Sequence, residues 1–318
     1  MKGSKTYLNK SVKMRLKLYR GLYLLLIPLV VIAFVFCYLP LLGNIVAFKE
    51  YDIFNGSGPL DAIIKSPWAK NFGFGHFIDI FNTPEMIKAI LNTLWISGIS
   101  LVFCFPLPII LAICINEVQV KSFKRTVQTV SYLPHFLSWI AVIGIFNSFL
   151  ATDGALNDLI QLLTGGKTER ILFLQNPNLF VPSAVLINLW KTIGWNSIVY
   201  LAAISGIDGT LYEAAQIDGA GRLMQIRKIL LPCILPTISI IFILNIPSIF
   251  SSNFELIIGL QNPFSAFETI DTWVYKKGIV GADYSASTAL GLAQGLVSII
   301  MVVVTNKISK KLSGNSLW

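Results

Sequence analysis

Charge is scarce in this chain. Only 13% of its 318 residues are Asp, Glu, Lys or Arg, against roughly 25% in soluble domains, while 54% are hydrophobic. That imbalance excludes an ordinary soluble globule and points to an integral membrane protein. Histidine is rarer still: His76 and His135 are the two in the chain, expected on opposite sides of the membrane. The acidic residues are scattered through loops, so no paired acid and base offers itself for hydrolysis or group transfer. The four cysteines (Cys37, Cys104, Cys114 and Cys233) lie in apolar runs, with no CxxC pair and no nearby histidine. Neither a disulfide framework nor a metal site is expected, and they read as small packing residues. Low-complexity tracts and internal repeats are missing as well, which leaves one membrane domain.

One near-motif is excluded. Thr164 to Thr168, "TGGKT", ends like the phosphate-binding loop GxxxxGK[ST], but the first glycine of that pattern falls on Gln161. No strand is expected before it, and phosphate binding needs the whole glycine-rich cradle between strand and helix. It reads as a loop, so no ATP hydrolysis is expected from this chain alone.

What charge there is, +9 net, is placed informatively. Seven of the 25 Lys and Arg fall in the first twenty residues (Lys2, Lys5, Lys10, Lys13, Arg15, Lys17 and Arg20), directly before an apolar run. Basic residues mark the cytoplasmic end of a membrane chain, and the run from Leu22 has no small-x-small cleavage site, so it reads as an uncleaved first span. A span needs roughly 20 mostly apolar residues. Six segments qualify: about 22–46, 91–115, 133–150, 181–205, 233–258 and 286–306. With the amino terminus inside, the inner segments carry Lys121, Lys124 and Arg125, then Arg222, Arg227 and Lys228, then Lys307, Lys310 and Lys311. The expectation is an all-α integral membrane protein with both termini cytoplasmic: a basic segment 1–21, a six-span domain 22–306 and a tail 307–318. In the long first outer loop, Thr83-Pro84-Glu85 reads as a helix start, capped by threonine with proline in the first turn.

The spans hold neutral polar and aromatic groups instead of charges. The fourth carries Asn188, Trp190, Trp195, Asn196 and Tyr200; the fifth carries Asn245, Ser248, Ser251, Ser252 and Asn253, with Glu255 the one carboxylate well inside a span; the third adds Trp139 and Asn147. Polar groups at membrane depth face a bundle interior or a wet path, and hydrogen bonding between helices is the plainer alternative for any one of them. Positions 188, 192 and 195 share a helical face, and on the fifth span Ser248, Ser252 and Glu255 are likewise expected along one stripe. Amides and hydroxyls beside indole rings suit a neutral polyhydroxylated solute. The frequent prolines near the spans predict bent helices packed around something.

The segment Glu213 to Pro232, "EAAQIDGAGRLMQIRKILLP", is the polar exception, with five charged side chains in 20 residues. Thr210-Leu211-Tyr212-Glu213 fits a capping box. The helix it starts would run to about Ile217, Asp218-Gly219-Ala220-Gly221 would turn the chain, and a second helix would lead into the span after Pro232. Two short helices joined by glycines make a knob shaped to fill a groove; an amphipathic loop on the headgroups is the other reading.

This segment resembles the EAA signature of ABC-importer permeases, EAA-x3-G-x9-I-x-L-P, with Glu213, Ala214, Ala215, Gly219, Ile229, Leu231 and Pro232 all in register. The resemblance implies the type I importer permease fold. The loop 206–232 would be the cytoplasmic coupling helix, with Glu213, Ala214, Ala215, Asp218, Gly219 and Gly221 as the contacts to a separate ATPase. Two such ATPase subunits would bind ATP and magnesium, and this chain would hold no cofactor. "YLLLIPLVVIAFVFCYLPLLGNIVAFKEYDIF" and "SFKRTVQTVSYLPHFLSWIAVIGIFNSFLATDGALN" are similar to the carbohydrate-uptake branch, including alginate, pectin-fragment and maltose permeases. By that likeness the substrate path runs along Asn188, Trp190, Trp195, Ser252 and Asn253, with Asn147 and Trp139 nearby. The expected partners are a second, homologous permease, an extracellular solute-binding lipoprotein and an oligosaccharide, in a bacterial cytoplasmic membrane, with no nucleic acid. An importer of another solute, an ATPase-independent secondary transporter and a membrane enzyme are the alternatives.

Overall fold

The computed structural model describes Met14 and residues 17–261 and 267–313. Five of the seven amino-terminal basic residues and the end of the carboxy-terminal tail lie outside them. Among the described residues the only β pairing is an isolated bridge between Lys49 and Trp68; the rest of the regular structure is helical. The chain divides into two compact units, residues 1–76 with 284–289 and residues 77–283 with 290–318.

The first unit begins with α1 (Arg20–Ala33), which continues through a π-helical turn, Phe34–Tyr38, into a 3-10 stretch, Leu39–Phe48. The change of winding falls where Pro40, which has no N–H to give, clashes with the preceding turn. α2 (Pro59–Lys65) follows. Its last carbonyls are satisfied by the buried Lys49, whose Nζ donates to Ile63 O at 2.6 Å, Ser66 O at 3.2 Å and Ile64 O at 3.3 Å. The ammonium also lies 5.2 Å from the centroid of the Trp68 ring. Three carbonyls and an aromatic face make this cation tolerable away from water.

After α3 (Gly75–Asn82), α4 (Pro84–Cys104) begins at the expected proline, but the Thr83 side chain makes no capping bond. Phe105 separates α4 from α5 (Pro106–Glu117), because two prolines, Pro106 and Pro108, interrupt the ladder. α6 (Lys121–Tyr132) and a 3-10 turn, Leu133–Phe136, precede α7 (Trp139–Leu150), which Ser138 caps by accepting from Ala141 N at 3.2 Å. α8 (Ala155–Thr164) ends at Gly165 and Gly166, both left-handed, with Gly166 N bonded to Gln161 O at 2.9 Å. The near-motif "TGGKT" is therefore the C-cap of a helix.

α9 (Pro177–Ser205) has 29 residues, a length of about 43 Å at the usual rise. It joins two cores of the second unit. One, around Val142, Phe180, Val181, Ile187, Leu256 and Ile257, packs it against α4, α7 and a later helix; the other, around Ile109, Ala112, Tyr200, Ile204, Leu230 and Ile234, packs it against α5 and the fifth apolar segment. Where α6 crosses α9 the residue is Gly194, because a Cβ there would overlap the Ser131 carbonyl.

α10 (Gly209–Ile217) and α11 (Arg222–Gln225) form the polar segment. A π-helical turn, Ile226–Leu230, carries α11 into α12 (Leu231–Asn245), which tightens to a 3-10 stretch, Ile246–Phe250. The chain then breaks at Ser251–Asn253 before α13 (Phe254–Leu260). The fifth segment is thus not one helix to residue 258, and Ser248, Ser252 and Glu255 do not share a helical stripe: Pro247 withholds a donor, and Asn253 starts a new helix by accepting from Leu256 N at 3.2 Å. α14 (Ile270–Val274) and α15 (Tyr284–Ser313) complete the chain.

Among the described residues, five stretches are long and apolar enough to cross a membrane: Arg20–Phe48, Pro84–Glu117, Trp139–Thr164, Arg222–Phe250 and Tyr284–Lys311. α9 matches them in length but is more polar.

Candidate functional site

Two features of the second unit stand out, a cavity and an exposed knob. The cavity, about 940 Å³, opens between α4, α5, α9, α12, the broken link and α13. α9 contributes one face, Asn188, Thr192, Trp195, Asn196 and Val199, spaced as an α-helical stripe requires. The 3-10 stretch contributes Ser248, the broken link Ser251, Ser252 and Asn253, and α4 adds Ser97 and Ser100. No Asp, Glu, Lys, Arg or His stands among the described residues that line it. The wall is made of amides, hydroxyls, an indole and aliphatic carbon, a composition that exchanges hydrogen bonds with hydroxyl groups and stacks on rings.

The polar groups of the wall are oriented by one another. Asn253 Nδ2 donates to Asn188 Oδ1 at 3.4 Å, linking two walls, and Asn188 Nδ2 approaches Cys104 Sγ at 3.7 Å. Trp195 stacks flat on His135, with centroids 4.3 Å apart and planes 3° from parallel. Behind that stack Lys191, one turn before Trp195 on α9 and only 5% exposed, donates to the carbonyls of Pro134, His135 and Leu137 and lies 5.0 Å from the centroid of the Trp139 ring. It holds the 3-10 turn from which His135 reaches Trp195.

Of the path residues expected from sequence, the structure brings Asn188, Trp195, Ser252 and Asn253 together on the cavity wall. Trp190, Asn147 and Trp139 are not among the lining residues. Trp190 meets the edge of Phe146 at 5.4 Å, Asn147 Nδ2 donates to Gly259 O at 3.1 Å, and Trp139 packs under Lys191 and against the first core. Position 190 is two residues from 188, on the far side of the helix. Sequence reasoning passed over Ser97 and Ser100, which look like ordinary helix-packing residues in an apolar run. It also passed over Asp271 and Gln294, whose contacts to the link are long-range. The signal for the break was present: a Ser-Ser-Asn cluster two residues before an acid reads as a helix start.

The knob is built as two short helices about a left-handed glycine. The start of α10 departs from the expected capping box: Asp208, two residues before Thr210, is the N-cap and accepts from Thr210 N at 3.0 Å. A carboxylate is the stronger acceptor for those free amides, and this amide bond holds the Asp208 carboxyl below its ordinary pKa. α10 ends at Ile217 as expected; Gly219 takes φ +77° and Ala220 N bonds back to Ala215 O at 2.8 Å. Glu213, Ala214, Asp218, Gly219 and Gly221 are exposed and Ala215 is half-buried. Two large apolar side chains stand out beside them, Ile217 at 87% exposure and Leu223 at 83%. Arg222 Nη1 lies 3.9 Å from Glu117 Oε2, a loose tie from the knob to the end of α5.

Known proteins resemble this chain in sequence and in fold. Residues 104–313 match the family described as binding-protein-dependent transport system inner membrane component. Protein LplB of Bacillus subtilis is 40% identical over 306 residues, covering 95% of this chain and 92% of its own. The polygalacturonan/rhamnogalacturonan transport system permease protein YteP of the same organism is 37% identical over 312 residues, covering 98% and 94%. Among solved structures, a bacterial alginate ABC transporter in complex with alginate pentasaccharide-bound periplasmic protein has a chain that superposes with a TM-score of 0.85 at 37% identity, covering 96% of this chain and 99% of that one.

Proposed function

This chain belongs to the family of binding-protein-dependent transport system inner membrane components, the permeases of ABC importers, and from that premise we infer that it forms part of the path by which an oligosaccharide enters a bacterial cell. The observation that carries the reading is the cavity wall: amides, hydroxyls and an indole facing one space, with no ionisable carboxylate, amine or imidazole among the described lining residues. Sugar hydroxyls exchange hydrogen bonds with such a wall, and a sugar face stacks on Trp195. Asn188, Trp195, Ser252 and Asn253 make the contacts; Trp190, Asn147 and Trp139 support the helices behind them.

α9 is the sixth span. Its polar residues face the cavity and its core, so low hydropathy is no obstacle to crossing. Both termini are then cytoplasmic, which collects Lys121, Lys124, Arg125, Arg227, Lys228, Lys307, Lys310 and Lys311 on the inside, as the positive-inside rule favours. A basic amino-terminal segment precedes the span domain, and a short tail follows. Residues 206–232 lie in the cytoplasm as the coupling loop. Glu213, Ala214, Ala215, Asp218, Gly219 and Gly221 fill a cleft of an ATPase subunit, and Ile217 and Leu223 supply apolar area to that contact. Two ATPase subunits bind ATP and magnesium, a second permease completes the path, and an extracellular binding protein delivers the sugar. This chain is not an enzyme; it converts closure of the ATPases into movement of its spans.

The test is reconstitution of the full complex in proteoliposomes, with labelled arabino-oligosaccharides and oligogalacturonides as probes. ATP-dependent uptake of at least one is expected. Glu213→Lys or Gly219→Asp abolishes uptake and stimulated ATP hydrolysis while the chain still inserts. Uptake by this chain without any ATPase would sink the reading in favour of a secondary transporter.

A further inference from the structure

The wall segment Ser251–Asn253 is helix-free backbone between two helices on the cavity wall, where unpaired amides and carbonyls are costly. This segment and the carbonyl just before it are held by side chains from three other elements. Asp271, in α14, accepts from Ser252 N at 2.6 Å and from Ser252 Oγ at 2.9 Å through the same oxygen, Oδ2. Its Oδ1 accepts from Gln294 Nε2 of α15 at 3.3 Å, and the same amide donates to Phe250 O, the carbonyl just before the break. Ser97, in α4, donates to Ser251 O at 3.2 Å. Thr269 Oγ1 lies 2.8 Å from Ser252 Oγ, and Thr269 is itself fixed at the start of α14 by its bond to Thr272. No ion pair to Asp271 exists among the described residues, so its carboxylate is committed to neutral donors. None of Asp271, Gln294 and Thr269 lines the cavity.

We propose that Asp271 is a positioning residue that sets the solute affinity of the cavity from outside it. Holding both the amide and the hydroxyl of Ser252 fixes the φ and ψ of a segment that has no ladder of its own. Asn253 then points where it can cap α13 and meet Asn188. Without Asp271 the wall keeps its residues but loses the shape that presents them, so the solute must supply the ordering and binds more weakly. This rests on the reading of the cavity as the oligosaccharide path.

The test uses the assembled importer and whichever of the labelled arabino-oligosaccharides and oligogalacturonides the unaltered complex takes up. Asp271→Ala raises the apparent KM for uptake about tenfold, the order of one hydrogen bond to a charged group. The amount of assembled complex and the maximal rate change less than twofold. Asp271→Asn keeps an oxygen for Ser252 and stays within about threefold of the unaltered KM. Adding Gln294→Ala to Asp271→Ala raises KM by less than Gln294→Ala does alone, since Gln294, which does not line the cavity, acts on the link partly through Asp271 Oδ1. An unchanged KM in Asp271→Ala, a loss of uptake that only tracks less complex, or a double variant whose effects simply add would each overturn the proposal while leaving the transport reading intact. An unaltered complex that takes up neither probe overturns both.

Discussion

Two helical rods of 29 residues, Arg20–Phe48 and α9, divide the work of the protein in opposite ways. The first is apolar but for Arg20 and Asn44, and only Val46 and Ala47, at its far end, are buried. α9 carries Asn188, Lys191, Asn196 and Ser197, and ten of its residues are buried. A hydropathy profile ranks them in the reverse order of their contribution to the fold. Hydropathy reports what faces hydrocarbon, and lipid is as apolar as leucine, so a purely apolar rod gains little from packing. A helix that carries polar residues in a membrane must bury them against partners or a wet cavity. α9 does both, and so becomes the spine of the second unit and one wall of its cavity.

The largest expected difference between the rods is at their glycines. Gly194 meets the Ser131 carbonyl, whereas Gly43 has nothing within 4 Å of where a Cβ would stand. Gly194→Leu should therefore cost about 3 kcal/mol or more through overpacking and leave little folded protein by thermal-shift assay in detergent. Gly43→Leu should leave the melting temperature within error. Equal tolerance at the two sites would mean that α6 does not cross α9 closely.

Next in size is Lys191. Replacing it with methionine keeps the apolar stem but strands the carbonyls of Pro134, His135 and Leu137, at about 1–3 kcal/mol for the unpaired groups. The same turn carries His135, so the stack on Trp195 should loosen too, which a shift in tryptophan fluorescence of Lys191→Met would report. Smaller again for the fold, though not for transport, is Trp195→Ala with Asn253→Ala. Uptake should fall while the ATPase subunits co-purify as before; undiminished uptake would remove these two residues from the path.

Much of this was legible in the residues and some was not. The EAA spacing and the Asp218–Gly221 turn are local, so sequence alone gave α10 its end at Ile217. The α9 stripe is local as well, since a helical period lies within one segment. The break at Ser251–Asn253 sits inside an apolar run that a hydropathy window averages over, even though Asn253 and Glu255 are in cap and first-turn positions. Asp271 and Gln294 act on residues 19 and 44 positions away in sequence, a separation that no periodicity encodes. Asp208 displaced the Thr210 capping box because the two starts compete over two residues and the carboxylate accepts more strongly.

The smallest effect belongs to the apolar rod. Leu25 is 74% exposed in α1, and Leu25→Ala in the chain on its own should shift stability by no more than about 0.5 kcal/mol, the usual range for exposed positions. In lipid the truncated side chain is replaced by acyl chain of equal polarity, so no transfer free energy is lost, and alanine is at least as good a helix former. Repeating the measurement in the assembled importer separates two kinds of apolar surface. If the value stays small there, this face of the rod meets lipid in the complex as well. If it rises toward the roughly 2–5 kcal/mol of a buried leucine, the rod's apolar surface is covered in the complex, and its uniform hydrophobicity serves assembly as well as insertion.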